Sequence, residues 1–314
     1  MHNPLAFPVR MENNTIYVLD ETQLPFKETY ITVKSLDEAL EVLGKMKTRA
    51  FGQVLLFFYT CALVREIDKT AMAFKKIRPT FDFFRLAEIL KKACGENLDI
   101  KQAVNGFVQG FEEKRKKRVK KLAKLLPAEA RILTICNLNG ELLYLYSALK
   151  EIGKEAIFFV SETRPYLQGT RLTFWELNKA HIPAKLICDN QAAILMKDGQ
   201  INCVITGADR SNKKGDIINK IGTYALARLA HYFKIPFYAL TQYPREIDIE
   251  NIEIEERPKE EVFMWLKKRT FPETISVLIP EMRPYILGLK VTEGLNKEGV
   301  KPIYVTDNML GFLF

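Results

Sequence analysis

The sequence has 314 residues, 47% of them hydrophobic and 27% charged, which is the balance of a soluble globular protein with room for a substantial core and two domains. A net charge of +9 raises the question of anionic partners. The five cysteines (Cys61, Cys94, Cys136, Cys188, Cys203) show no CxxC or Cys/His ligand spacing, so neither zinc nor a disulfide framework is expected, and a reducing cytoplasm fits.

In chain order, residues 1–35 read as short strands and turns, with no apolar core of a signal peptide in MHNPLAFPVRMENN and an alternating Thr15–Leu19. Ser35-Leu36-Asp37-Glu38 resembles a capping box opening a helix. Helical patterns follow over Phe51–Ile67, Phe81–Ala93, Ile100–Phe111 and Glu113–Leu126. The longest apolar run, Val54 to Val64, is too short to span a bilayer and reads as a buried helix. Lys114-Arg115-Lys116-Lys117-Arg118, with Lys120, Lys121 and Lys124, interleaves with Leu122, Leu125 and Leu126 as an amphipathic helix with a solvated basic face. No aromatics stand among those charges, so nucleic-acid binding ranks low. Pro127 closes a mostly helical N-terminal domain, 1–127.

Residues 128–314 form the second domain, where strand and helix alternate. Arg131–Cys136, Ala156–Val160, Ala184–Cys188, Asn202–Thr206 and Pro236–Leu240 read as buried strands. Helices over Glu141–Ile152, Thr173–Ala180, Gln191–Met196 and Ile217–Tyr232 separate them, the last with Asp216 as N-cap and Asn219 and Lys220 in its first turn. The fold class is therefore α/β: a small helical domain, then a doubly wound, Rossmann-like parallel sheet. GxGxxG and GxxxxGK[ST] are both missing, so a bound dinucleotide is not expected.

In such a sheet the residues just past each strand converge on one rim. Here they are Cys136 and Asn137; Glu162, Thr163 and Arg164; Asp189; Asp209; and Thr241 with Gln242. His2, His181 and His231 all fall elsewhere, which leaves cysteine or carboxylate as the acid–base groups. Asp189 and Asp209 could equally be helix caps, and Cys136 an apolar filler.

Several segments in one order resemble the methylthioribose-1-phosphate isomerase family: VLDETQLPF at 18–26, IRPT at 77–80, ILTICN at 132–137, SETRPYLQGTRLTFWEL at 161–177 and ITGADRSNKKGDIINKIGTY at 205–224. IEIEERPKEEV at 252–262 and VTEG at 291–294 extend the likeness over nearly the whole chain. The superfamily also holds ribose-1,5-bisphosphate isomerases and the regulatory alpha, beta and delta subunits of translation initiation factor 2B. The resemblance implies a catalytic cysteine at Cys136 and a catalytic aspartate at Asp209. It places the phosphate and sugar contacts on Arg49, Ala50, Phe51, Arg78, Gln168, Asn219 and Lys220. The implied reaction turns 5-methylthioribose 1-phosphate into 5-methylthioribulose 1-phosphate in methionine salvage, and the resemblance implies a homodimer; with no metal or cofactor motif in the sequence, none is expected. The alternatives are a non-catalytic regulatory or metabolite-binding paralogue, and an isomerase of another ribose phosphate.

The likeness has departures. The family's RGAPAIG phosphate loop reads Arg49-Ala50-Phe51-Gly52-Gln53-Val54-Leu55, and a glycine-rich segment after the cysteine reads Leu138-Asn139-Gly140-Glu141-Leu142-Leu143-Tyr144. Phe51 would crowd a phosphate, and Glu141 at a helix start would repel one. Ile135 replaces a histidine, and Ile279-Pro280-Glu281-Met282-Arg283-Pro284 stands near a lost PAFDVTP element.

Overall fold

The computed structural model describes residues 4–79, 81–95 and 99–241, and the backbone of 277–281 and 302–306. His2, Thr80, Gln242, the 252–262 and 291–294 segments and 282–284 lie outside the described residues. The chain divides into two compact units, Met1–Ile249 and Glu250–Phe314. In the second, two parallel strands, Val277–Glu281 and Pro302–Thr306, pair with each other.

The first unit opens with an antiparallel three-stranded sheet, β1 (Val9–Glu12), β2 (Thr15–Leu19) and β3 (Tyr30–Val33). Helices α1 (Leu36–Gly44), α2 (Phe51–Val64), α3 (Ile67–Ile77), α4 (Phe83–Cys94) and α5 (Ile100–Leu125) follow. Ser35 caps α1 as expected, its hydroxyl accepting from Glu38 N–H at 3.2 Å, but the Glu38 carboxylate reaches back one residue further, to Lys34 N–H. The helix expected over Phe51–Ile67 stops at Val64, because Arg65 turns left-handed (φ 59°), and α3 starts afresh. The patterns over Ile100–Phe111 and Glu113–Leu126 are one continuous helix, α5. Phe57, Phe58, Phe74 and Phe83 pack in the core of this helical layer, with Phe74 edge-on to both Phe57 and Phe83.

Strands β4 (Glu129–Thr134), β5 (Glu155–Ser161), β6 (Ala184–Ile187), β7 (Cys203–Gly207) and β10 (Phe237–Leu240) form a parallel sheet in the order β10-β7-β4-β5-β6. Between them run α6 (Glu141–Glu151), a π-helical Gly169–Phe174 leading into α7 (Trp175–Lys179), α8 (Ala192–Lys197) and α9 (Thr223–Tyr232). Alternate residues go to opposite faces. Ile132, Phe158, Val160, Cys203 and Ile205 pack with Val119 and Leu122 of α5 and Leu142 and Leu149 of α6. Leu133, Phe159 and Val204 pack with Met196 of α8 and Leu226 and Ala230 of α9. Helices thus cover both faces, and β4 and β7 are neighbours although far apart in sequence. Chain direction across the sheet reverses between them, which is where open α/β sheets leave a crevice for a ligand.

The basic run does not form a wholly solvated face. Arg115 is fully buried: it donates to Ala6 O at 3.1 Å and to Asn139 O, and lies over the rings of Phe111 and Tyr144. Burial pushes its guanidinium pKa down against the pull of Glu141. Leu125, expected on the apolar stripe, is instead exposed.

Candidate active site

Cys136 stands two residues past β4 and Asp209 two past β7, on either side of the reversal. Cys136 is half-buried with φ 67°, a left-handed backbone that an L side chain adopts only under constraint. Its N–H donates to the Thr163 hydroxyl at 2.9 Å, and its carbonyl accepts from the Thr173 hydroxyl at 2.6 Å. Asp209 is fixed by its own N–H, which donates to Ile218 O at 2.8 Å.

The two side chains feel one another. Burial and then the Asp209 charge push the Cys136 thiol up to about 11, while Lys220 and Arg49 pull it down. Asp209 is exposed as a residue, yet loss of hydration around its carboxyl raises its pKa against Lys220 and Arg210. Thiol, carboxyl, ammonium and guanidinium therefore share one electrostatic neighbourhood.

Its cationic side is organised around Gln168. The amide oxygen, turned toward its two neighbours, accepts from Arg49 Nη1 at 3.2 Å and Lys220 Nζ at 3.3 Å. The same two cations lie over the ring of Tyr166, at 5.0 and 5.2 Å from its centre. Arg49 is held from behind by Glu21, a buried carboxylate that accepts from Thr48 Oγ1 at 2.7 Å and from Arg49 N–H at 3.2 Å. Burial raises the pKa of Glu21, opposed by Thr48, Arg49 and Arg171. Arg171 in turn donates to Glu21 O at 2.7 Å and Leu24 O at 3.1 Å, tying the 20–25 segment to the sheet.

Cys136, Asp209, Arg49, Gln168 and Lys220 are thus brought together. Ala50 is exposed at the start of α2 with φ 43°. The Phe51 ring turns into the helical layer and stacks on Phe111, with centroids 4.1 Å apart. Arg78 ends α3, its N–H donating to Phe74 O. Asn219 and Lys220 precede α9 rather than lying in its first turn, and Asn219 Nδ2 donates to Thr223 Oγ1 at 3.0 Å.

Asp216 is not an N-cap. Arg210–Ser211 (β8) and Ile217–Ile218 (β9) pair antiparallel, and Asp216 holds the turn by bonds with Asn212. The helix waits for Gly222, whose φ of 97° suits glycine and where a Cβ would come within 2.9 Å of Ile135 Cδ1. Asp189 is a structural acceptor, taking Thr163 N–H and Arg164 N–H at 2.8 Å each and the Ser161 hydroxyl. Glu141 is paired with two guanidiniums: Arg118 pairs with both its oxygens and Arg115 Nε lies 3.5 Å from one. Thr241 O accepts from Arg118 Nη1 at 2.7 Å.

Glu21 and Tyr166 gain a place in the site only from the structure, although both stand in segments that resemble the family. Glu21 stands in the polar stretch Asp20-Glu21-Thr22-Gln23, and nothing local in the sequence marks it as a buried acid. No group of three His, Cys, Asp or Glu suited to a metal ion occurs among the described residues, and no helix there is long and apolar enough to cross a membrane.

Residues 62–278 match the model of the Initiation factor 2 subunit family. The chain is similar to the methylthioribose-1-phosphate isomerase of Thermotoga maritima (36% identical, covering 85% of this chain and 87% of the relative) and to that of Geobacter metallireducens (32%, covering 91% and 94%). It is 34% identical to the Aquifex aeolicus protein of that name over 81% of its own length, spanning 60% of that longer relative. Among solved structures it resembles 5-methylthioribose 1-phosphate isomerase from Pyrococcus horikoshii OT3 (TM-score 0.69, 27% identity, 88% of each chain). It also resembles the delta subunit of translation initiation factor eIF-2B from A. fulgidus (TM-score 0.66, 28% identity, 86% of this chain and 88% of that one).

Proposed function

We propose, from the premise that this chain belongs to the initiation factor 2 subunit family, that it is an aldose–ketose isomerase converting 5-methylthioribose 1-phosphate to 5-methylthioribulose 1-phosphate. The observation that carries the reading is the shared neighbourhood of Cys136 and Asp209 with Lys220 and Arg49 beside them. Likeness to isomerases at 32–36% identity over most of the chain supports it.

A phosphate dianion needs concentrated positive charge, and Arg49 and Lys220 converge on one amide to supply it. Arg78, Asn219 and the backbone at Ala50 and Phe51 complete the substrate contacts. A phosphate on C1 prevents spontaneous ring opening, so the ring oxygen must be protonated as its bond to C1 breaks. Asp209, its pKa raised, keeps a proton further toward neutral pH than an ordinary aspartate and is the acid for that step. Hydrogen then moves from C2 to C1, as a proton through the Cys136 sulfur or as a hydride beside it. The C2 hydroxyl releases its proton as the ketone forms, and Asp209, now ionised, is placed to take it. Low hydration around the pair makes each transfer cheaper than in water.

A regulatory subunit without catalysis is the second reading, favoured by the fold shared with the A. fulgidus protein. Incubation of the purified protein with 5-methylthioribose 1-phosphate, followed by 13C NMR, separates the two: a C2 ketone signal is expected, and its absence at high enzyme concentration overturns the isomerase reading. The assembly proposed is a homodimer, to be measured by light scattering.

A further inference from the structure

Two buried threonines from different elements meet the backbone of Cys136 from opposite sides. Thr163 follows β5, and its hydroxyl has one proton, which it donates to Ser161 O at 3.0 Å. Its oxygen is thereby left to accept the Cys136 N–H at 2.9 Å. Thr173 lies in the π-helical turn; its hydroxyl donates to Cys136 O at 2.6 Å while accepting from Asn137 Nδ2 at 3.2 Å. Both side chains are inaccessible to water, so neither hydroxyl has a solvent alternative.

The clamp is braced behind. Thr163 is itself left-handed (φ 66°), held by its N–H to Asp189 Oδ1 at 2.8 Å and by its carbonyl, which accepts from Leu167 N–H at 2.8 Å. The π-helical turn can approach only because residue 169 is glycine: a Cβ there would fall 1.7 Å from Ser161 O and 2.9 Å from Thr163 Oγ1. Both peptide groups flanking Cys136 are therefore fixed from outside β4, at a residue whose φ of 67° is unfavourable for an L side chain.

We propose that Thr163 and Thr173 are positioning residues that lock Cys136 in its left-handed conformation and so hold its thiol toward Asp209. The inference rests on reading Cys136 as the reactive thiol. Without the clamp the residue relaxes to negative φ and its side chain swings out of the crevice. Burial is the chief cause of the raised thiol and the groups facing it are Asp209, Lys220 and Arg49, so the swing returns the thiol to water and removes the carboxylate's influence together with that of the two cations.

The test uses Thr163→Val and Thr173→Val, which keep the shape and delete the hydroxyl, with Thr163→Ser and Thr173→Ser as conservative variants. Two quantities are read: kcat and KM for 5-methylthioribose 1-phosphate, and the pH profile of iodoacetamide alkylation at Cys136, followed by peptide mass spectrometry. Each valine variant is expected to lower kcat by about tenfold or more with KM little changed, as misplacement of a reacting group does. The midpoint of Cys136 alkylation falls from near 11 in these variants, and the serine variants restore both quantities. Valine variants that keep wild-type kcat and an unshifted alkylation profile overturn the proposal, as does a loss of kcat that serine fails to rescue. If valine prevents folding, Thr163→Ala and Thr173→Ala take its place, and failure of these to fold makes the threonines structural supports only and also overturns it. Should the wild type form no ketose, the isomerase reading fails while the alkylation profile still decides the clamp.

Discussion

Replacing Glu141 by glutamine is expected to destabilise the protein substantially without improving anion binding. Arg115 Nε lies 3.5 Å from Glu141 Oε1, and the Arg115 side chain is only 1% exposed. At an effective dielectric near 20, unit charges at that separation of 3.5 Å attract by about 5 kcal/mol before desolvation is subtracted. Removing one partner of a buried pair leaves the other charge uncompensated and typically costs about 3–5 kcal/mol. Arg118 shares the same carboxylate but is 23% exposed, so water recovers part of its loss and the lower end, about 3 kcal/mol, is expected. Urea unfolding with an unchanged slope should show that loss as a lower midpoint. A cost below about 1 kcal/mol would refute a compensating role for Glu141, since surface pairs fall in that range. Tenfold tighter substrate binding by the variant would instead restore the view that Glu141 repels the phosphate.

The same geometry sets three further outcomes. Asp209→Asn removes a charge that raises the Cys136 thiol, so the alkylation midpoint of Cys136 should fall below about 11; an unchanged midpoint would mean the two groups are not neighbours. Gly169→Ala should cost at least about 2 kcal/mol, because its Cβ would sit 1.7 Å from a backbone oxygen in a packed turn; neutral behaviour in thermal unfolding would contradict that close approach. Asp20 is pushed up by burial but held below its ordinary value of 3.8 by Lys47 and Thr22. Its share of stability is therefore present above pH 3.8 and lost as pH falls through the lower folded value. Lys47→Met should flatten that acid limb in urea titrations, and an unaltered limb would dismiss the pair.

The parallel sheet was legible because each strand is a short apolar run bounded by polar turns, with neighbours such as Ile132 and Leu133 facing opposite helices. Cys136 and Asp209 were legible for a related reason: a residue just past a strand end has its place set by topology rather than by distant contacts. The hairpin at Arg210–Ile218 was not, since Ile217-Ile218 joins smoothly onto the helical spacing of residues 219–232, and only Gly222 marks the true start. Arg115 looked solvated because its partners, Ala6 O, Asn139 O and Glu141, lie far from it in sequence. Phe51 is misleading in the same way: spacing gives no hint that its ring finds Phe111, sixty positions on, instead of the ligand.

The most direct test of the shared Cys136–Asp209 site is a crystal structure with 5-methylthioribulose 1-phosphate bound, measuring the distances from the ligand to Cys136 Sγ and the Asp209 carboxylate. Both are expected within about 3–3.5 Å of ligand atoms, at C1–C2 and at the oxygen on C4 respectively, with the phosphate between Arg49 and Lys220. A ligand seated with either side chain out of reach, or with its phosphate away from both cations, would contradict a joint role for the thiol and the carboxylate.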